Sequence, residues 1–496
     1  MRHLPVFIPL IFFLGALLMA LLPRHRTSLP HALAVAATFG GWVFSILGLG
    51  TVIANGPIRY HLGGWQPPIG IELSLDALSA FMCAVVTTVS LLVLIHSKCV
   101  AANEHPEKAV PFYSATMLLI GGLLGIIVTA DLFNLYVFLE ISSLASYALV
   151  AIGDKRAPVS AFRYLILGTV GASFYLLGLG FIFIVTGSLN MADVAQILPQ
   201  ITTTPPVLIG VILMVIGIGV KMALFPLHGW LPDAYTYASS TSTALIAPIG
   251  TKVAAYVLIR ILFFVFEKDL VTIEIPVLKT IGYLGAAGII AGSILAIAQH
   301  DLKRMLAYSS VAQISYIALG IGLGSTLGLI GAILHILNHA FMKACLFLVS
   351  ANFLTRLGHA EIPRLDNSVR LKMPWTAAAF TVAAISMIGL PPTAGFFSKW
   401  YLVIGSFEQS NWIFITVILV SSLLNAVYFF RVLEKIYLRS NKQKPDDKET
   451  AAFGESEAPA SMLYPTLILA AGLLVLGLGN VFIVEHVIKL MIPPNL

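Results

Sequence analysis

Apolar runs of about twenty residues recur along the whole chain, each long enough to cross the roughly 30 Å hydrocarbon core of a bilayer as a helix. Lipid offers no hydrogen-bond partners, so only helices and closed barrels can span it. The runs here are continuous rather than alternating, which excludes a barrel. Composition agrees: of 496 residues, 58% are hydrophobic and only 10% charged, against about 25% charged in ordinary soluble domains. The chain reads as an all-α polytopic membrane protein. Its net charge of +6 does not point to nucleic acid, because the basic residues fall in short loops between apolar runs, where they set membrane orientation. Cys83, Cys99 and Cys345 are scattered without metal-ligand spacing, so no disulfide frame, iron–sulfur site or other metal site is expected.

Windows of about nineteen residues give about fourteen spans. The loops after spans one, three, five, nine, eleven and thirteen hold Arg24 and Arg26, Lys98 and Lys108, Lys155 and Arg156, Lys303 and Arg304, Arg356 to Lys372, and Arg439 to Lys448. The opposite side holds Arg59, Lys268 and Lys279. That alternation is expected to place both termini outside the cytoplasm. The apolar stretch up to Leu22 carries more basic charge behind it than ahead, so it is expected as a retained first span and not a cleaved signal. The hydrophilic insert 440–460, containing NKQKPDDKET, reads as a disordered cytoplasmic loop. No extramembrane segment is large enough for a soluble enzyme, so no catalytic chemistry is expected in the chain itself.

Two spans are interrupted. Span seven, about 207–224 with a continuation to about 238, breaks at Pro226 and again near Pro232; span twelve, about 373–408, breaks at Pro391 and Pro392. Paired broken helices at corresponding places point to an ion pathway built on inverted repeats. The expected organisation is an N-terminal three-helix segment (1–110), a first five-helix repeat of spans four to eight (111–270), a second, inverted repeat of spans nine to thirteen (271–439), the loop, and a C-terminal helix (461–496).

A charge at the centre of a membrane helix costs at least roughly 2.5–3.5 kcal/mol on insertion scales and is usually functional. This chain keeps Glu140 in span five, Lys221 in span seven, Lys252 in span eight, His335, His339 and Lys343 in span eleven, and Lys399 in span twelve. Residues at i, i+4 and i+8 drift by only about 40° per step, so His335, His339 and Lys343 share one helical face. Two imidazoles and an amine in a water-lined stripe would make a proton wire. Glu140 needs a positive partner, for which Lys221 is the candidate. Asp76 and Asp233 lie near span ends, where a cap or interfacial role is as good a reading as transport. His228, close to the first break, is open to either reading.

Five motifs then carry a resemblance: FLEISSLASYAL, KMALFPLHGWLPDAY, HDLKRMLAYSSVAQISYIALG, HILNHAFMKACLFL and GLPPTAGFFSKWYL. In this order they resemble the antiporter-like membrane subunits shared by Mrp-type sodium/proton antiporters, respiratory complex I and membrane-bound hydrogenases. The resemblance implies fourteen core helices with two inverted five-helix repeats. It implies that Glu140 and Lys221 form the coupling pair, that Lys252 connects, and that His335, His339 and Lys343 bridge to Lys399 on the exit side. One complex I homologue carries glutamate where Lys399 stands. Length, Lys399 and the early segment GGWQPPIGIELSLD look most like the D-type subunits of the Mrp group.

The expected function is a proton-translocating antiporter subunit working with other membrane subunits in the bilayer, moving H+ with Na+ as the counter-ion. The lysines and histidines suit proton relay better than sodium coordination, which wants clustered oxygens. The nearest alternative is the same type of protein in a redox-driven hydrogenase or complex I relative. A stand-alone solute transporter is the alternative of another class.

Overall fold

The structure, a computed structural model, describes residues 2–23, 28–104, 106–153, 156–201, 204–266, 270–439, 456–493 and 496. Arg24, Arg26, Lys155, Lys268, Lys442, Lys444, Lys448 and most of the 440–460 insert fall outside the described residues.

The chain begins with α1 (Leu4–Ala20) and α2 (Ser28–Asn55). A small antiparallel hairpin follows, β1 (Ile58–His61) on β2 (Glu72–Leu75), with Ile58 opposite Leu75. The hydropathy pattern predicts neither strand, since each spans only four residues between helices. Then come α3 (Ala77–Glu104), α4 (Ala109–Val128), α5 (Leu132–Ala151), α6 (Ala157–Thr186), the short α7 (Met191–Ile197), α8 (Pro205–Met222), α9 (Leu231–Tyr237) and α10 (Ser240–Arg260). The second half holds α11 (Val277–Ile297), α12 (Leu302–Gly322), α13 (Thr326–Leu357), the short α14 (Ser368–Lys372), α15 (Pro374–Ile388), α16 (Ala394–Glu408) and α17 (Trp412–Tyr437). It closes with α18 (Ala460–Leu478) and α19 (Asn480–His486). Among the described residues, twelve helices are long and apolar enough to cross a membrane, and two shorter apolar helices, α1 and α15, accompany them.

The two halves use the same local devices. Asp131 caps α5 by accepting from the Asn134 N–H, and Asp301 caps α12 by accepting from the Arg304 N–H. Both satisfy a donor that a helix start leaves open. Asp131 also bridges Asn190 in an antiparallel pairing, as Asp301 bridges Glu361. The Leu132 N–H donates to Leu189 O at 2.8 Å and the Leu302 N–H to Ala360 O at 3.0 Å. Burial raises the pKa of both capping carboxyls, although the N–H groups each accepts from oppose it.

Burial sorts the helices. The apolar window of α13 is 94% buried and that of α2 only 33%, so α13 runs through the interior while α2 lies at the rim. Around α13 pack α10, α12, α15, α16 and α18. Close approach elsewhere rests on glycine: a Cβ at Gly178 would come within 2.6 Å of Gly210 O, so α6 and α8 can touch only where side chains are missing. The interior helices α10 and α13 carry four of the titratable groups picked out by the sequence.

Candidate functional site: a buried polar row

The row begins where α5 faces the end of α8. Lys221 Nζ lies 3.9 Å from Glu140 Oε1, the pairing expected from their charges. The ammonium donates more closely to Ser143 Oγ, at 2.7 Å, and to Tyr147 OH, at 3.3 Å. Glu140 Oε1 is itself buried without a hydrogen-bond partner. Lys221 is thus held by hydroxyls and only leans toward the carboxylate, a geometry that can tighten or loosen. Ser143 and Tyr147 lie three and seven residues beyond Glu140, on its own helical face. Helical periodicity counted from Glu140 is the sequence signal that finds both hydroxyls.

A cavity of about 50 Å³ adjoins this pair, lined by Lys221, Ser143, Ser146, Tyr235 and Thr251 among others. Its size and the polar groups within a mixed lining suit a few waters. Thr251 leads to its neighbour Lys252, whose Nζ donates to Ala247 O at 2.7 Å and to Thr251 Oγ1 at 3.4 Å. Lys252 is 1% exposed. Across the α10–α13 contact, His339 sits within electrostatic range of Lys252, Lys343 and His335.

Along α13 the face expected from spacing is present. The His335 and His339 rings stack with centroids 5.8 Å apart. Lys343 turns its ammonium to Leu306 O at 2.7 Å and to the Ser309 hydroxyl on α12. Both ring nitrogens of His339 are buried without a partner, as is Nε2 of His335. Buried polar atoms ordinarily find a partner in protein or ordered water, and these three find none in the protein.

The row ends at the second break. His335 Nδ1 lies 2.9 Å from Ser398 Oγ, next to Lys399. The ring of Tyr316 stands between, 5.5 Å from the His335 ring and 5.0 Å from Lys399 Nζ. Lys399 Nζ donates to Met387 O and Ile388 O, at 3.0 and 2.9 Å, and to Ser422 Oγ at 3.3 Å.

The two breaks share a construction. α8 ends at Ala223 with φ 59°, and α15 at Gly389 with φ 89°; the Phe225–Pro226 and Pro391–Pro392 peptides that follow are cis. The Leu224 N–H reaches back to Gly219 O, as the Leu390 N–H does to Ile385 O. Carbonyls freed at such a break need partners inside the protein. The Trp230 indole serves Val220 O at 2.9 Å, and the Lys399 ammonium serves the last carbonyls of α15. Span seven is therefore two helices separated by residues 223–230, not one bent helix.

Three sequence candidates stand apart from the row. His228 lies in the first break with its ring 5.4 Å from that of Phe225. Asp233 sits at the start of α9 and pairs with Arg163 of α6 at 3.0 Å and with Arg304 of α12 at 3.4 Å. Arg156 and Arg304 both reach the Tyr237 hydroxyl, and Lys303 reaches Ala238 O. Arg156, Lys303 and Arg304, expected on one side of the membrane, thus gather at one end of the bundle.

Asp76 lies at the other end, just ahead of α3. It accepts from the Ser79 N–H at 2.9 Å and from Arg260 through two bonds of 2.6 and 2.8 Å. Burial alone would raise its pKa, but the Arg260 charge and the bonds from Arg260 and Ser79 hold it down at about 2. Arg260, the partner of Asp76, is a charged residue that hydropathy does not single out, although it falls on the face of Lys252, at i+8.

Comparison with known proteins agrees with this architecture. The family profile described as "NADH:quinone oxidoreductase/Mrp antiporter, TM" matches residues 129–425. The profile described as "NADH-Ubiquinone oxidoreductase (complex I), chain 5 N-terminus" matches residues 65–98. The N subunit of NADH-quinone oxidoreductase from Desulforudis audaxviator is 46% identical, over 99% of either chain. The D-type Na(+)/H(+) antiporter subunit of Alkalihalophilus pseudofirmus is 30% identical over 96% of this chain and 93% of its own. Among solved structures, a chain of the Mrp complex from Dietzia sp. DQ12-45-1b superposes with a TM-score of 0.87 at 24% identity, covering 99% of this chain and 96% of that one. A chain of the membrane-bound sulfane sulfur reductase, an archaeal respiratory membrane complex, gives 0.86 at 28% identity, over 98% and 96%. With its broken helices and most of its length matched, this chain belongs to the NADH:quinone oxidoreductase/Mrp antiporter transmembrane family.

Proposed function

We propose that the chain is the proton-translocating, antiporter-like subunit of a multi-subunit membrane complex, passing protons sideways from Glu140–Lys221 through Lys252, His339 and His335 to Lys399. The observation that carries this reading is the succession of buried and partly buried titratable groups from α5 to α16. Protonation near Lys252 competes for Lys221 and shifts its balance between Glu140 and the Ser143 and Tyr147 hydroxyls. Lys343, anchored on α12, biases His339 from the side.

In this reading residues 111–270 and 271–439 are two inverted repeats, supported by the paired caps and paired breaks. The chain sits in the plasma membrane of a prokaryote with both termini on the extracytoplasmic side. Sodium, where it is the counter-ion, binds elsewhere in the complex, because the row offers mainly nitrogen groups.

Two hosts fit. An Mrp-type sodium/proton antiporter, with this chain in the place of its D-type component, is supported by the 30% identical relative and the early GGWQPPIGIELSLD segment. A redox-driven, complex I-like host is supported by the 46% identical relative. Purifying the chain with its partners decides between them: iron–sulfur or nickel proteins favour the redox host, small membrane partners favour antiport. In either complex, Lys221→Ala and Lys399→Ala lower proton transport; unchanged transport in both would leave the chain a scaffold.

A further inference from the structure

Lys252, Tyr256 and Arg260 repeat on α10 the spacing of His335, His339 and Lys343 on α13, at i, i+4 and i+8, so they form a second stripe on one helical face. This stripe runs along the helix, away from the row and toward the end of the bundle that carries the β1–β2 hairpin. Tyr256 is 2% exposed. Its hydroxyl donates to Ile127 O at 2.7 Å and accepts from Arg260 Nε and NH2 at 3.3 and 3.1 Å. The Arg260 guanidinium is then clamped by both oxygens of Asp76 and covered by the rings of Tyr256 and Phe264.

This end is not sealed. A cavity of about 210 Å³, open to the outside, is lined by Arg59, Glu72, Ser74, Asp76, Tyr256 and Arg260 among others. Its inner wall is Tyr256, one helical turn from Lys252. A purely structural ion pair would be expected to close over this position. Here a pocket open to the outside reaches Tyr256, the next residue along the stripe from Lys252.

We infer that Tyr256, Arg260 and Asp76 form a second protonic mouth, connecting Lys252 to the surface beside the β1–β2 hairpin independently of Lys399. The inference rests on the proposed relay row. The Lys252 ammonium gives a proton through intervening water to the Tyr256 oxygen, one Arg260 bond opening to admit it, as the hydroxyl, turned from Ile127 O, gives its own to water in the cavity. Lys252, left neutral, regains its proton from the row. The tyrosine ends with as many protons as it began with. Asp76, kept ionised by Arg260 and Ser79, draws the excess proton to the mouth, from which it passes through cavity water to bulk. Arg260, always charged, carries no proton. Its positive charge bars free cations from the passage and keeps Asp76 ionised.

The test uses the intact complex in liposomes, with proton movement read by a pH-sensitive dye, and four substitutions: Lys221→Ala, Lys399→Ala, Tyr256→Phe and Asp76→Asn. Tyr256→Phe removes one oxygen and leaves the Arg260–Asp76 pair; Asp76→Asn keeps an acceptor for the Ser79 cap. Lys399→Ala is expected to retain about a tenth or more of the parental rate, and adding either Tyr256→Phe or Asp76→Asn removes at least about tenfold of that remainder, a modest share of what positioned proton-transfer groups contribute. A remainder untouched by both substitutions overturns the second mouth, as does complete loss in Lys399→Ala alone. Parental transport in Lys221→Ala overturns the relay row itself, and this mouth with it.

Discussion

Asp76 shows how one residue's neighbours decide its behaviour. Its carboxyl is held at about 2, below its ordinary 3.8, by Arg260 and Ser79 against the opposing effect of burial. A depressed carboxylate stabilises the fold above its unfolded pKa and loses that contribution as pH falls through the folded value. The Asp76 contribution is therefore complete above about pH 4 and fades toward pH 2, with a size on the order of 2 kcal/mol. Thermal unfolding in detergent is expected to place Asp76→Asn below the parent at pH 7, with the gap shrinking toward pH 3. An equal gap at both values contradicts this. The sequence places Asp76 at a span end and offers the cap, but Arg260 lies 184 positions away, and no local pattern reports such a distance. By contrast, the α13 stripe is readable because helical geometry alone puts His335, His339 and Lys343 on one face.

At the scale of elements, the two breaks carry the most information. Proline and glycine announce both of them. What the sequence does not announce is which side chains serve the freed carbonyls, Trp230 in one case and Lys399 in the other, since those contacts form only when the chain folds back. Gly389 has φ 89° and a Cβ there would meet Lys399 Cδ at 3.0 Å and Nζ at 3.3 Å. Gly389→Ala is thus expected to lower stability by about 1–2 kcal/mol through left-handed strain and to reduce proton transport by displacing the ammonium. Ala223, the counterpart at φ 59°, already bears that strain. Ala223→Gly is expected to raise the melting temperature or leave it unchanged, and a clear fall would contradict the equivalence of the two breaks. The hairpin β1–β2 escapes hydropathy reading because its strands are too short to register beside helices of twenty residues and more.

Over the whole molecule, three groups of charged residues among those described bear on the site. Asp233 with Arg163 and Arg304 ties α9, α6 and α12 together at one end of the bundle. Asp76 and Arg260 close around an open pocket at the other. Between them runs the buried row, on helices flanked by α6 and α17 at the rim. The polytopic helical class, the broken helices and the row's members can all be read from composition, periodicity and proline placement. Their order in space depends on which helices pack together, which is a tertiary fact. Lys252 is where the row and the second stripe meet, so it tests the account most directly. Proton transport by the intact, reconstituted complex carrying Lys252→Met, which keeps the side chain's length and removes its charge, is predicted to fall by roughly a hundredfold while the complex still assembles. Transport at the parental rate in that variant would contradict a sideways proton relay through this chain.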